Sequence, residues 1–133
     1  MEIAVDTTLL VDLWRHRSRP ERLTDVRQKT EGHTLLLPWM TKAEFLRGAL
    51  HQRVLEEDAE RFLIVFPFIS FSHAALLRYA RLWTEIAKTG QMVDYPDLWI
   101  GAIAQEHSCP VITRNARHFT RIPGLQVIEY RLL

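Results

Sequence analysis

A chain of 133 residues is long enough for one domain and too short for two independent cores. Its 47% hydrophobic and 25% charged residues exclude a disordered or collagen-like polymer, and a formal charge of +1 gives the molecule no bulk attraction to nucleic acid or acidic membranes. Fourteen of the 17 cations are arginine, whose planar fork suits bidentate phosphate contacts, so the placement of charge carries information that the total does not.

Ile3-Ala4-Val5 predicts a short strand, and the periodic apolar positions Leu9, Leu10, Leu13 and Trp14 predict a helix after it. A second helix is expected over Glu21 to Thr30, broken by Gly32 before an apolar strand, Thr34 to Leu37, that Pro38 ends. Thr41 stands three residues before Glu44, the spacing of a capping box, at the start of a helix carrying Phe45, Leu46, Ala49 and Leu50. Another helix is expected from about Arg53 towards Val65. Phe66 to Ser70 reads as an edge strand, because Pro67 has no N–H for a central ladder. Ser72 caps the next helix, which runs through Ala75, Leu82 and Ile86 to a stop at Gly90, and Pro96-Asp97 opens a further one. Val111 to Thr113 is a strand, Ala116 to Phe119 a helical turn and Leu125 to Ile128 the last strand. Strands alternating with helices predict one α/β domain over 1–133, a parallel sheet between two helical layers.

Cys109 is the only cysteine, so no intrachain disulfide or cysteine-based zinc cluster can form, and its place before Pro110 and a strand reads as a small buried hydrophobe. An acidic start and the lack of an apolar run of the ~18 residues that span a bilayer predict a cytoplasmic protein, neither exported nor membrane-embedded.

Ligands of open parallel sheets bind beyond the carboxyl ends of the strands, and this sequence places acids there. Asp6 ends the first strand, Glu44 lies early in the helix after the second, and Asp97 begins the helix before the fourth. Each alone reads equally well as a helix cap or a charge at a helix dipole. Together, three carboxylates at one edge repel one another unless a hard divalent cation, Mg²⁺ or Mn²⁺, neutralises them. Such an ion lowers the pKa of bound water and stabilises charge on a phosphodiester oxygen. Asp94 lies within reach of the same edge. Thr7 and Thr113 offer hydroxyls, and Arg114, Arg117 and Arg121 form a local basic stripe able to hold the phosphates flanking a scissile one. Asn115 reads first as a cap for the short helix, and His118 as a general base, a metal ligand or a packed turn residue. Asp12, Glu56, Glu57, Asp58 and Glu60 read as solvated helix faces.

The segments Val5-Asp6-Thr7-Thr8, Thr41 to Ala49, Asp97 to Ala104 and Val111 to Phe119, in that order and spacing, make the sequence resemble PIN-domain ribonucleases, specifically VapC-type toxins of type II toxin–antitoxin pairs. The resemblance runs over essentially the full length. It implies a PIN-like three-layer α/β/α sandwich, metal-dependent endoribonuclease activity, a homodimer, and inhibition by a small antitoxin that inserts residues into the acidic groove. It also implies that Asp6, Glu44 and Asp97 are the metal-binding catalytic residues, supported by Thr7, Thr113 and Asn115. Family members commonly carry a fourth acid where this chain has His118. That exchange removes a negative charge, weakens a second Mg²⁺ site more than the first, and suits Mn²⁺ better than Mg²⁺. It also leaves an alternative to compare with the nuclease: a catalytically degenerate PIN-like module that binds RNA or protein without cutting, which metal titration would distinguish.

Overall fold

A computed structural model covers residues 1–133. In chain order it contains β1 (Glu2–Val5), α1 (Thr7–Arg15), a 3-10 turn (Pro20–Leu23), α2 (Thr24–Thr30), β2 (Thr34–Pro38), α3 (Trp39–His51), α4 (Glu56–Leu63), β3 (Phe68–Ile69), α5 (His73–Thr89), α6 (Tyr95–Glu106), β4 (Val111–Thr113), a second 3-10 turn (Ala116–His118) and β5 (Val127–Glu129).

The five strands pair only in parallel, in the order β3-β2-β1-β4-β5. Side chains alternate across a strand, and β1 shows how this builds two cores. Ile3 and Val5 pack with Leu9, Leu10, Phe45 and Leu63 on one face, while Ala4 packs with Leu82, Ile86, Ile100 and Ile103 on the other. Helices therefore cover both faces, giving the expected three-layer sandwich. The short edge strand β3 sits outside β2, and Leu37 donates its N–H to the carbonyl of Pro67 at 2.7 Å, so the proline lies where only an acceptor is needed. Ser72 caps α5 by accepting from Ala75 N at 3.1 Å, and Gly90 ends it at φ +72°.

Four local expectations change. No capping box forms, because α3 already starts at Trp39; Thr41 is buried in its first turn and donates its hydroxyl to the carbonyl of Val5 at 2.9 Å. The expected Glu21–Thr30 helix is instead a 3-10 turn, Pro20–Leu23, with Pro20 at its first position, followed by α2. The helix expected from Arg53 begins at Glu56, because Arg53 adopts φ +63° to close α3: Arg53 N donates to Leu50 O and Val54 N to Ala49 O. The last strand lies at Val127–Glu129, two residues later than its first apolar signal at Leu125.

Chain order reverses beside β1, whose neighbours are β2 and β4. Beyond the carboxyl ends of β1 and β4 the following segments diverge, which opens a crevice at the topological switch point.

Candidate active site

Asp6, the first residue beyond β1, is 4% exposed and caps α1, accepting from Leu9 N at 3.0 Å. Thr8 donates to both of its oxygens, at 2.9 and 2.8 Å. Burial raises the pKa of Asp6, against the pull of the Thr113 hydroxyl, the Leu9 amide and the Thr8 hydroxyl. Thr113, fully buried at the end of β4, lies 3.4 Å from the Thr8 hydroxyl and accepts from Asn115 N at 3.0 Å. Glu44 reaches the same place from α3 and takes a 2.6 Å hydrogen bond from Thr7, one residue along from Asp6.

Asp97 stands in the first turn of α6, where a helix dipole favours an ionised acid. Its pKa is nevertheless raised to about 7, by burial first and then by the charges of Glu44, Asp6 and Asp94. No base lies within hydrogen-bond distance to offset them; His118 Nδ1 is 3.8 Å from Asp97 Oδ2. An acid placed for stability alone would not sit among three others.

The structure brings most of the candidate residues together. Asp6, Thr7, Glu44, Asp94, Asp97 and His118 line one open cavity of about 470 Å³, with Thr8, Arg47, Tyr95 and Pro96 completing its wall. Arg117 and Arg121 lie on an adjoining cleft beside Asp94, Asp97 and His118. Arg114 turns away from this cavity. Its Nε and Nη2 donate to Asp12 at 2.8 and 3.3 Å, so the basic stripe loses that member as a phosphate ligand. Asn115 makes no side-chain cap to the turn after it. Asp12, expected on a solvated face, is 1% exposed and also accepts from the Tyr130 hydroxyl at 2.6 Å. Its spacing already held the signal, since Asp12 is three residues from Leu9 on the apolar face of α1. Arg47 was missed as well, although a position three residues after Glu44 shares its helix face.

No three of the acidic or histidine side chains close on one point as a ready-made metal cage. The donor set still fits a hard divalent ion. It consists of carboxylate and hydroxyl oxygens around a wide cavity, the pKa of one carboxylate is raised to about 7 by burial and by uncompensated neighbours, and Mg²⁺ ordinarily keeps several waters while taking one or two carboxylates directly.

The family model described as PIN domain matches residues 3–125. The chain belongs to the PIN domain family. Relatives with this domain include "Ribonuclease VapC1" of Methanocaldococcus jannaschii, 26% identical over 130 residues that cover 96% of this chain and 88% of the relative. "Ribonuclease VapC1" of Haemophilus influenzae strain R2866 is 27% identical, covering 92% of each. Among solved PIN-fold structures, DNA-bound VapBC from Salmonella typhimurium superposes with a TM-score of 0.84 at 21% identity, covering 97% of this chain and 98% of that one. A toxin–antitoxin complex from Klebsiella pneumoniae gives a TM-score of 0.72 at 28% identity, covering 95% of each.

Proposed function

We propose that this PIN domain is an endoribonuclease that hydrolyses RNA phosphodiester bonds as the toxin of a toxin–antitoxin pair, with Mg²⁺ or Mn²⁺ as its cofactor. One observation carries the reading: Asp6, Glu44 and Asp97, from three distant segments, face one cavity, where burial first and then the neighbouring acids push the pKa of Asp97 up to about 7. The ribonuclease names of the relatives, matched over nearly the whole chain, support it.

Asp6, Glu44 and Asp97 would hold the divalent ion, which supplies water activation and charge stabilisation at the phosphate when bound. Thr8 and the Leu9 amide fix both oxygens of Asp6, and Thr7 fixes Glu44, so two acids are oriented before any ligand arrives. Thr113 sets the backbone at Asn115 and thereby the path of the turn that carries Arg117 and His118 to the rim. Arg117 is placed to bind a phosphate beside the scissile one. Asp94 adds negative charge at the mouth, and His118, on the cavity wall, would pass a proton to or from the leaving group. A small antitoxin offering a cation to the acid cavity, and a homodimer formed over exposed apolar positions of α5 such as Leu76, Leu77 and Trp83, complete the proposal.

Asp6→Asn tests it. The variant keeps the Leu9 cap and the fold, and its Mg²⁺- or Mn²⁺-dependent cleavage of RNA falls by roughly 100-fold or more. Undiminished cleavage by a folded Asp6→Asn protein would refute the assignment.

A further inference from the structure

A groove between α1 and α3 opens at Thr7 and Glu44, on the wall of the acid cavity, and passes Arg15, Arg47 and Trp14. It meets a second cleft that shares Trp14 and Val54 with it and is lined by Arg17, Arg53 and Arg61. The two clefts form one path leading away from the acids, with five exposed arginines and only Asp58 as a carboxylate beyond Glu44. Of the five, Arg61 makes an ion pair, with Asp58 at 3.3 Å and its own side chain 74% exposed, a surface contact that a phosphate can displace at little cost. Arg17 donates to the Trp14 carbonyl, holds its guanidinium carbon 3.9 Å from the centre of the Trp14 ring, and is exposed. Arg53 stands at the left-handed closing position of α3, where glycine is the low-energy residue. Keeping a long cation there strains the backbone, and no hydrogen bond or ion pair of its side chain within the chain offsets that strain.

We propose that this path binds the single-stranded RNA flanking the scissile phosphate. The inference rests on the nuclease reading and adds to it the route and the residues. Continuity with the cavity favours RNA over an acidic protein segment, because a strand whose phosphate sits at the ion held by Asp6 and Glu44 must leave the site, and here it meets forked cations and a guanidinium–indole contact in succession. The Arg117–Arg121 cleft lies against Asp94 and Asp97 instead and serves the opposite flank.

Arg17→Gln/Arg53→Gln tests the path in the full chain. Both sites are exposed, so melting should be unchanged. Affinity is measured by fluorescence anisotropy in an Asp6→Asn background, with a mixed-sequence 12-nucleotide single-stranded RNA and a 4-nucleotide one as probes. The expected result is about a 10-fold loss for the 12-mer, a log Kd against log salt slope reduced by about 1 to 1.5, and little change for the 4-mer. An unchanged 12-mer affinity and slope overturns the proposal, as does a wild-type cavity that binds no 12-mer. So does a polyglutamate peptide that binds in an Arg53-dependent way while the RNA does not, which would make the path a protein-docking groove. If the 12-mer binds through these arginines but neither Mg²⁺ nor Mn²⁺ supports cleavage by the chain with Asp6 intact, the path stands and the nuclease reading falls.

Discussion

Helix α1 carries two buried aspartates with opposite surroundings. Asp12 is met by the Arg114 guanidinium and the Tyr130 hydroxyl, so its charge is matched inside the chain. Asp6, at the cap of the same helix, receives only hydroxyls and one amide, and faces Glu44 and Asp97 across a cavity. One carboxylate has been given its countercharge and the other has been denied it. Removing one partner of a matched buried pair is costly, whereas an acid left without a countercharge is where, on the reading proposed above, a cation from outside would bind.

The contrast can be broken from the Asp12 side. Asp12→Ala leaves the Tyr130 hydroxyl unpaired and frees Arg114, whose side chain is 42% exposed and can turn to water. A loss of about 2–3 kcal/mol is expected, below the range for a fully enclosed pair, read from the urea midpoint. A loss under about 0.5 kcal/mol would show that the cluster is no anchor.

From the other side, neutralising an acid should stabilise the metal-free protein. The folded pKa of Asp97, about 7, lies above its ordinary 3.8, so the folded state holds that proton more tightly. Its contribution is fully present below about pH 4 and is lost as pH rises through 7, and the raised pKa of Asp6 acts in the same direction. Without divalent ions, wild-type thermal stability should fall between about pH 4 and 7 and level off above. Asp97→Asn should be more stable than wild type by about 1–2 kcal/mol at pH 8 and no more stable at pH 4. Added Mg²⁺ should restore wild type and leave the variant little changed. A flat profile in scanning calorimetry would remove the electrostatic stress on which the site depends.

The smallest effect sharpens the division. Tyr130→Phe removes one hydrogen bond to Asp12 and leaves Arg114 in place, for an expected cost of about 1 kcal/mol in chemical denaturation and no change in Mn²⁺ affinity. A fall in metal affinity would instead couple the two clusters.

The sheet and its acids were legible because both follow local rules. β-branched runs marked the strands, Ser72 and Gly90 marked the bounds of α5, and the carboxyl ends of parallel strands indicated where Asp6, Glu44 and Asp97 should meet. Partnerships across long sequence distances were not legible. Asp12 with Arg114 and Tyr130 spans more than a hundred residues, and nothing near Arg114 signals that its fork is already taken. Thr41 and Glu44 had the spacing of a cap but not its setting. Pro38 lets the helix start earlier, so the threonine ties α3 to β1 and the glutamate pairs with Thr7. The arginines of the α1–α3 path come from α1, α3, α4 and the turns that follow α1 and α3, and become one stripe only after packing.

The most direct test of the cation site is calorimetric titration of Mn²⁺ at pH 7 in buffers of different ionisation enthalpy. If Asp6, Glu44 and Asp97 hold the ion, binding to wild type releases a fraction of a proton, and Asp97→Asn loses both that release and at least 10-fold in affinity. Equal affinity and equal proton release in the two proteins would place the ion elsewhere and contradict the account.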